Sequence, residues 1–141
     1  YGLAKHLPKS TVPVLGKIAL RLRYQCAKHL FARCDGFVNL EQGAYIGNGR
    51  NFFVGKNVGI GKDFICHSRI VTIHDGLLMA ENVLFQGGGH SFADPNKPIG
   101  SEPDEGPTPL EICGDVWIGL EPSFYLAANA LVHIVLLVRV R

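Results

Sequence analysis

The stretch VGKNVGIGKDFICHSRIVTIHDGLLMAENVLF, residues 54–85, decides the fold, because its aliphatic residues return every six positions. Val54, Ile60 and Cys66 stand six apart, and after a shift of one residue Ile73, Met79 and Phe85 continue the series. A second apolar row sits four places after the lead residues, at Val58, Phe64, Ile70, Leu77 and Val83, with Ile70 keeping the earlier phase. Ile46-Gly47 leads the series from upstream, and Ile112 and Ile118-Gly119 resume it downstream. A six-residue period is the signature of a parallel β-helix.

The period has a simple physical basis. A short extended run points one branched residue inward, and the chain then turns through about a third of a circle. Gly55 and Gly61, each directly after a lead aliphatic, are expected to let the backbone make that turn without a Cβ clash. Three such units close one circuit, and each strand then bonds to its neighbours in the circuits above and below. An ordinary α/β fold would need helical stretches between the strands, and residues 37–89 offer none. General topology favours right-handed crossovers, so the repeat itself does not give the hand.

Ahead of the repeat, residues 13–33 carry Val14, Leu15, Ile18, Leu22, Cys26, Leu30 and Phe31 at helical steps, with Lys17, Arg21, Lys28 and Arg33 between them. This predicts an amphipathic helix with Pro13 in its first turn and Gly36 closing it, packed by its apolar face on the main body. The chain thus divides into a helical segment 1–36, a β-helix 37–119 and a tail 120–141.

Between Phe85 and Leu110 the period is lost in QGGGHSFADPNKPIGSEPDEGPTP, so residues 86–110 are expected to form one long external loop. A repeat fold that tolerates one long excursion commonly uses it for binding. His90 stands near its start, directly after three glycines that leave room for a ligand. A neutral imidazole suits removal of a proton from an attacking hydroxyl. A lone loop histidine is more often inconsequential; its setting after the glycines, at the break in the repeat, argues otherwise here.

The segments VTIHDGLLMAENVLFQGGGHSF (71–92), DPNKPI (94–99) and LEICGDVWIG (110–119) resemble the hexapeptide-repeat O-acyltransferases, in the branch of the maltose and galactoside acetyltransferases. The resemblance implies a left-handed parallel β-helix that works as a homotrimer, with acetyl-CoA as co-substrate and no metal. It implies His90 as general base, and Trp117 with Gly119 beside the thiol end of the coenzyme. Gln86 and Asp94 are the candidates to hold acceptor hydroxyls. The sugar acetyltransferases carry an asparagine near the position of Gly61, and this chain has none there. That points to a sugar of a surface polysaccharide or its precursor as acceptor.

After Gly119 the resemblance implies further glycine-rich hexapeptides, but the chain reads LEPSFYLAANALVHIVLLVRVR, without glycine and without that period. Loss of a single base after the Gly119 codon accounts for this. In the restored frame Ala127, Val132, Val138 and Val140 return glycines, and the best synonymous choice spells ARAIILPGCKRIGSYCIIGAGS, which is again hexapeptide repeat. Because those further circuits would build part of the coenzyme groove, the chain as written is expected to have little or no transferase activity.

Composition narrows the alternatives. With 47% hydrophobic and 18% charged residues the chain is globular rather than disordered. A net charge of +2 is too small to argue for a nucleic-acid partner. The apolar run Val12–Leu22 is broken by Lys17 and Arg21, and Phe124–Val138 is short for a membrane span, so the reading is cytoplasmic with no transmembrane segment. Cys26, Cys34, Cys66 and Cys113 lack zinc-ligand spacing and read as small buried hydrophobes. A zinc enzyme similar to the γ-class carbonic anhydrases would need two histidines five residues apart, whereas His67, His74 and His90 are separated by seven and sixteen. A non-catalytic scaffold built on the same repeat is the other alternative.

Overall fold

Runs of two to four extended residues, each followed by a corner, hold together through backbone pairing between circuits and through their inward side chains. A computed structural model describes residues 1–67, 70–87, 89–90, 96–98, 101, 104–105, 109–119 and 123–126, with the backbone alone described at 87, 89–90, 104–105 and 123–126. One α-helix, α1 (Leu15–Leu30), precedes the strands. These are β1 (Arg33–Cys34), β2 (Val38–Leu40), β3 (Phe52–Val54), β4 (Val58–Ile60), β5 (Ile65–Cys66), β6 (Val71–Ile73), β7 (Leu78–Met79) and β8 (Leu84–Gly87). A separate pair, β9 (Gly89–His90) and β10 (Asp104–Glu105), comes before β11 (Leu110–Ile112), β12 (Trp117–Ile118) and β13 (Ser123–Leu126).

Three parallel sheets result. The first has the order β1-β3-β6-β11, the second β2-β4-β7-β12, and the third β5-β8-β13, with Tyr45 bridging to Ile65 at its start. Successive strands therefore visit the three sheets in turn and pair with the strand one circuit later, an arrangement compatible with a parallel β-helix. The register keeps like on like: Val54 stands beside Ile73 and Ile73 beside Ile112, while Cys66 stands beside Phe85. One strand lies beyond the boundary drawn at Gly119, since β13 pairs with β8 and sets Phe124, six residues after Ile118, opposite Phe85.

The interior is a single aliphatic and aromatic column. Every lead residue from Ile46 to Ile118 is buried, and so are Val58, Phe64, Leu77 and Val83 of the second row. Phe64 and Phe85 meet edge to face at 5.0 Å between ring centres, and Phe31 stacks on Phe52 at 5.4 Å. Ile70 departs from the expectation: it is 47% exposed, and Val71 takes the interior place beside Phe52. The extra residue of the phase shift thus falls before Ile70, which is carried to the outside.

The corners also differ in detail from the sequence reading. Left-handed backbone is taken at two of the corners by stacked residues: Asn57, Gly76 and Asp115 at one, and Gly43, Asp63 and Asn82 at the next. Asn, Asp and Gly tolerate that conformation best. Gly55 and Gly61 serve another purpose, close approach of the next circuit. A Cβ at Gly61 would collide with the Ala80 carbonyl, and one at Gly55 would come within 2.9 Å of the Asp75 amide nitrogen.

Helix α1 begins at Leu15, after Pro13 rather than around it, and ends with Phe31 extended, well before Gly36. Its buried side is not the one the apolar pattern suggests. Gly16, Ala19, Arg23 and Ala27 face inward, while Leu15, Ile18 and Leu22 are about half exposed or more. The reason is Arg23, whose guanidinium is completely buried and donates to the carbonyls of Leu40, Leu7 and Pro8 and to the Glu41 carboxylate. That network ties the first ten residues, the helix and β2 together and fixes the rotation of α1.

Candidate functional site

The excursion that carries His90 leaves the third sheet after β8 and returns to the first sheet at β11. Its first turn is not irregular: β9 and β10 form an antiparallel pair in which His90 stands opposite Asp104 and Gly89 opposite Glu105. Gly87 ends the parallel strand β8 and Gly89 begins the antiparallel strand β9. Asp94 lies outside the described residues, whereas Asn96–Pro98 and Ser101 are described, with Ser101 turned back on the Pro98 carbonyl at 2.7 Å.

Gln86 sits four residues before His90 on β8 and is half-buried, alternating with the interior Phe85. Beside it on the same outer face is His67, whose backbone N–H donates to the Phe85 carbonyl at 2.9 Å and whose ring lies 6.0 Å from that of Tyr45. Tyr45 is 46% exposed and Ile65 40%. The QGGGH motif singled out Gln86, but Tyr45 and His67 were not marked by the repeat, because outward positions carry no periodic signal.

Trp117 belongs to the second sheet. It is outward on β12, opposite Leu78 on β7, and both remain exposed, at 45% and 60%. Its ring reaches back over Gly119, where a Cβ would touch the indole at 3.7 Å. The structure therefore brings Trp117 and Gly119 together as one apolar shelf at the start of the corner that leads to β13. Because β13 pairs with β8 in register, with Tyr125 opposite Gln86, that corner delivers the chain to the strand on which Gln86 stands.

A second feature lies at a different corner. Arg33, Asp35, Lys56, His74, Asp75, Cys113 and Gly114 line an open groove of about 590 Å³ between the first and second sheets. His74 meets the Glu111 carboxylate at 2.7 Å across the β6–β11 pair, and Arg33 meets Asp35 at 2.8 Å. Both pairs are half exposed or nearly so, a setting in which ion pairs add little. None of the site residues named from the sequence lines this groove.

The cysteines diverge from the expectation of four buried hydrophobes. Cys66 is buried, Cys26 and Cys34 are half-buried, and Cys113 is exposed; no disulfide joins them. Burial raises the Cys34 thiol above its ordinary pKa. Among the described residues no group of three His, Cys, Asp or Glu is placed to hold a metal ion, and no helix is long and apolar enough to cross a membrane.

Comparison with protein-family models, with curated proteins and with solved structures finds no match to this chain.

Proposed function

We propose that the chain is a left-handed parallel β-helix of the hexapeptide-repeat acyltransferase kind, whose form with the reading frame restored after Gly119 transfers an acetyl group from acetyl-CoA to a hydroxyl of a sugar or polysaccharide precursor, while the chain as written has little or no such activity. The observation that carries the reading is the single long break in the three-sheet cycle, between β8 and β11, with a histidine behind three glycines at its start. The motifs QGGGH and GDVWIG, which share the resemblance described above, flank that break.

In this reading His90 is the general base. Its imidazole takes the hydroxyl proton as the oxygen attacks the thioester carbonyl; a C–O bond forms, the C–S bond breaks, and the proton goes to the departing thiolate. Asp104, the register partner of His90, is the residue type that orients an imidazole and favours its protonated form. The exposed shelf of Trp117 and Leu78, with Gly119 leaving the indole uncovered, offers apolar surface to the thiol arm of the coenzyme. Gln86 and Asp94 hold acceptor hydroxyls. No metal takes part, and the protein works as a cytoplasmic homotrimer.

The test, made on the restored-frame form, is acetyl transfer from acetyl-CoA to a panel of mono- and oligosaccharides, followed by release of free thiol, in parallel with His90→Ala. Turnover that falls by about 10²–10⁴-fold in the variant supports the base. Turnover indifferent to His90, or coenzyme binding without turnover in every form of the protein, favours a non-catalytic scaffold instead.

A further inference from the structure

Helix α1 presents to solvent the side chains that an amphipathic helix ordinarily buries. Leu15, Ile18 and Leu22 are 59%, 51% and 49% exposed, and Val14 just ahead of the helix is 73% exposed. Steps of three and four place the three helical residues on one stripe. Exposed Lys17, Arg21 and Lys28 run alongside it, and α1 contains no acidic residue.

The charge of the chain is divided unevenly about this helix. The first 34 residues hold seven Lys and Arg and no Asp or Glu, whereas the remaining 107 hold seven Lys and Arg against twelve Asp and Glu. The small net charge of the whole conceals this division. Arg23, Lys9 and Arg33 are engaged with Glu41, Glu81 and Asp35; Lys17, Arg21 and Lys28 make no ion pair among the described residues.

Three kinds of surface could meet such a face. A second copy of the stripe would bring lysines and arginines against their like, with no acidic residue of α1 to relieve them. A nucleic acid would satisfy the charges and leave the apolar stripe wet. A bilayer with anionic headgroups satisfies both at once. We propose that α1 is a peripheral membrane anchor that lies on an anionic lipid surface, with Leu15, Ile18 and Leu22 at the acyl boundary and Lys17, Arg21 and Lys28 against the headgroups. Few apolar side chains and few charges make the attachment reversible and dependent on lipid charge. The small residues Gly16, Ala19 and Ala27, with Arg23 as the tether, hold the helix down so that its outer face stays presented. This inference does not depend on the catalytic reading.

Co-sedimentation of the full chain with vesicles tests it. We expect binding to vesicles of phosphatidylcholine and phosphatidylglycerol in equal amounts, and none to phosphatidylcholine alone. The double variants I18S/L22S and K17E/R21E should each weaken binding about tenfold or more, while R50E, a basic residue on the strand-bearing body, should not. Hydrogen exchange on the unmodified chain provides a reading free of any folding defect: amides of residues 15–22 should gain protection when the anionic vesicles are added. Absence of binding, equal loss in R50E, or no protection in α1 would overturn the proposal. So would a fall in oligomeric state of I18S/L22S with vesicle binding unchanged, which would assign the stripe to contact between copies.

Discussion

Arg23 and Glu41, eighteen residues apart, meet at 3.4 Å beneath the N-terminal segment, the arginine completely buried and the glutamate nearly so. Each has further partners: Arg23 donates to three backbone carbonyls, and Glu41 accepts from the Ser10 hydroxyl and amide, the Asn39 amide and the Gln42 N–H. A buried pair is strongly destabilising to break on one side, because the other charge is left without a partner. Arg23→Met should therefore cost about 3 to 5 kcal/mol in chemical unfolding, and it should release α1 and the first ten residues before the strands. A cost below about 1 kcal/mol would show that the network is not what holds the helix.

Glu41 also sets a pH dependence. Burial pushes the Glu41 carboxyl up, but the hydrogen bonds from Ser10, Asn39 and Gln42 outweigh it, so its pKa in the folded chain lies below the ordinary 4.5. A carboxyl lowered by folding contributes stability that is complete above its unfolded value and is lost as pH falls through the folded one. The stability gap between the parent and Glu41→Gln should be widest at neutral pH and should close as pH drops below 4.5. A gap that stays constant over that range would mean the carboxylate is not the stabilised form.

The corner glycines make opposite demands. Gly61 lacks room, since a Cβ there would strike the Ala80 carbonyl, so Gly61→Ala should destabilise by about 1–3 kcal/mol and disturb the β4–β7 corner. Gly47 has open space but a φ of 59°, so Gly47→Ala should cost about 1–2 kcal/mol through the backbone alone. For the same reason Gly47→Asn should recover part of the loss, whereas Gly61→Asn should be worse than Gly61→Ala. Thermal melts of the four variants decide between steric and conformational roles.

If Trp117 is a shelf for the coenzyme, Trp117→Ala should weaken acetyl-CoA binding by about tenfold, as judged by the energy of an exposed aromatic contact, and leave the melting temperature nearly unchanged because the indole is 45% exposed. A variant that melts far lower with unchanged coenzyme affinity would make the tryptophan structural.

The sequence reading recovered the part of the fold that is periodic. The lead aliphatics announce themselves because each must be inside and each is one circuit from its like, so Val54, Ile73 and Ile112 form a column that could be traced without coordinates. Ile70 was misplaced because an inserted residue can be absorbed at either end of a corner, and only packing chooses Val71. The face of α1 was misjudged for a related reason. Apolar spacing indicates a stripe but does not say what the stripe meets, and the buried Arg23 with its carbonyl partners overrode it. Of the proposed site, His90, Gln86, Trp117 and Gly119 stood out through local motifs. Asp104 did not, since its place opposite His90 follows from the antiparallel return of the loop, fourteen residues away in sequence.

The tail after Gly119 gives a prediction at the level of the gene. Reading the coding DNA across residues 118–141 in all frames should reveal glycine-rich hexapeptides in the shifted frame. The polypeptide read in that frame should transfer acetyl groups far faster than the chain as written. An unshifted frame with no such repeat would make Ser123–Leu126, already paired with β8, the start of a genuine alternative ending.

The most direct measurement is single-turnover release of CoA thiol from acetyl-CoA in the presence of sugar acceptors, made on the chain as written and on the restored-frame form, each with histidine and with alanine at position 90. Acceptor-dependent release in the restored form should drop by about 10²–10⁴-fold in His90→Ala, with coenzyme affinity retained. Acceptor-dependent release that survives the loss of His90 would contradict the proposed base.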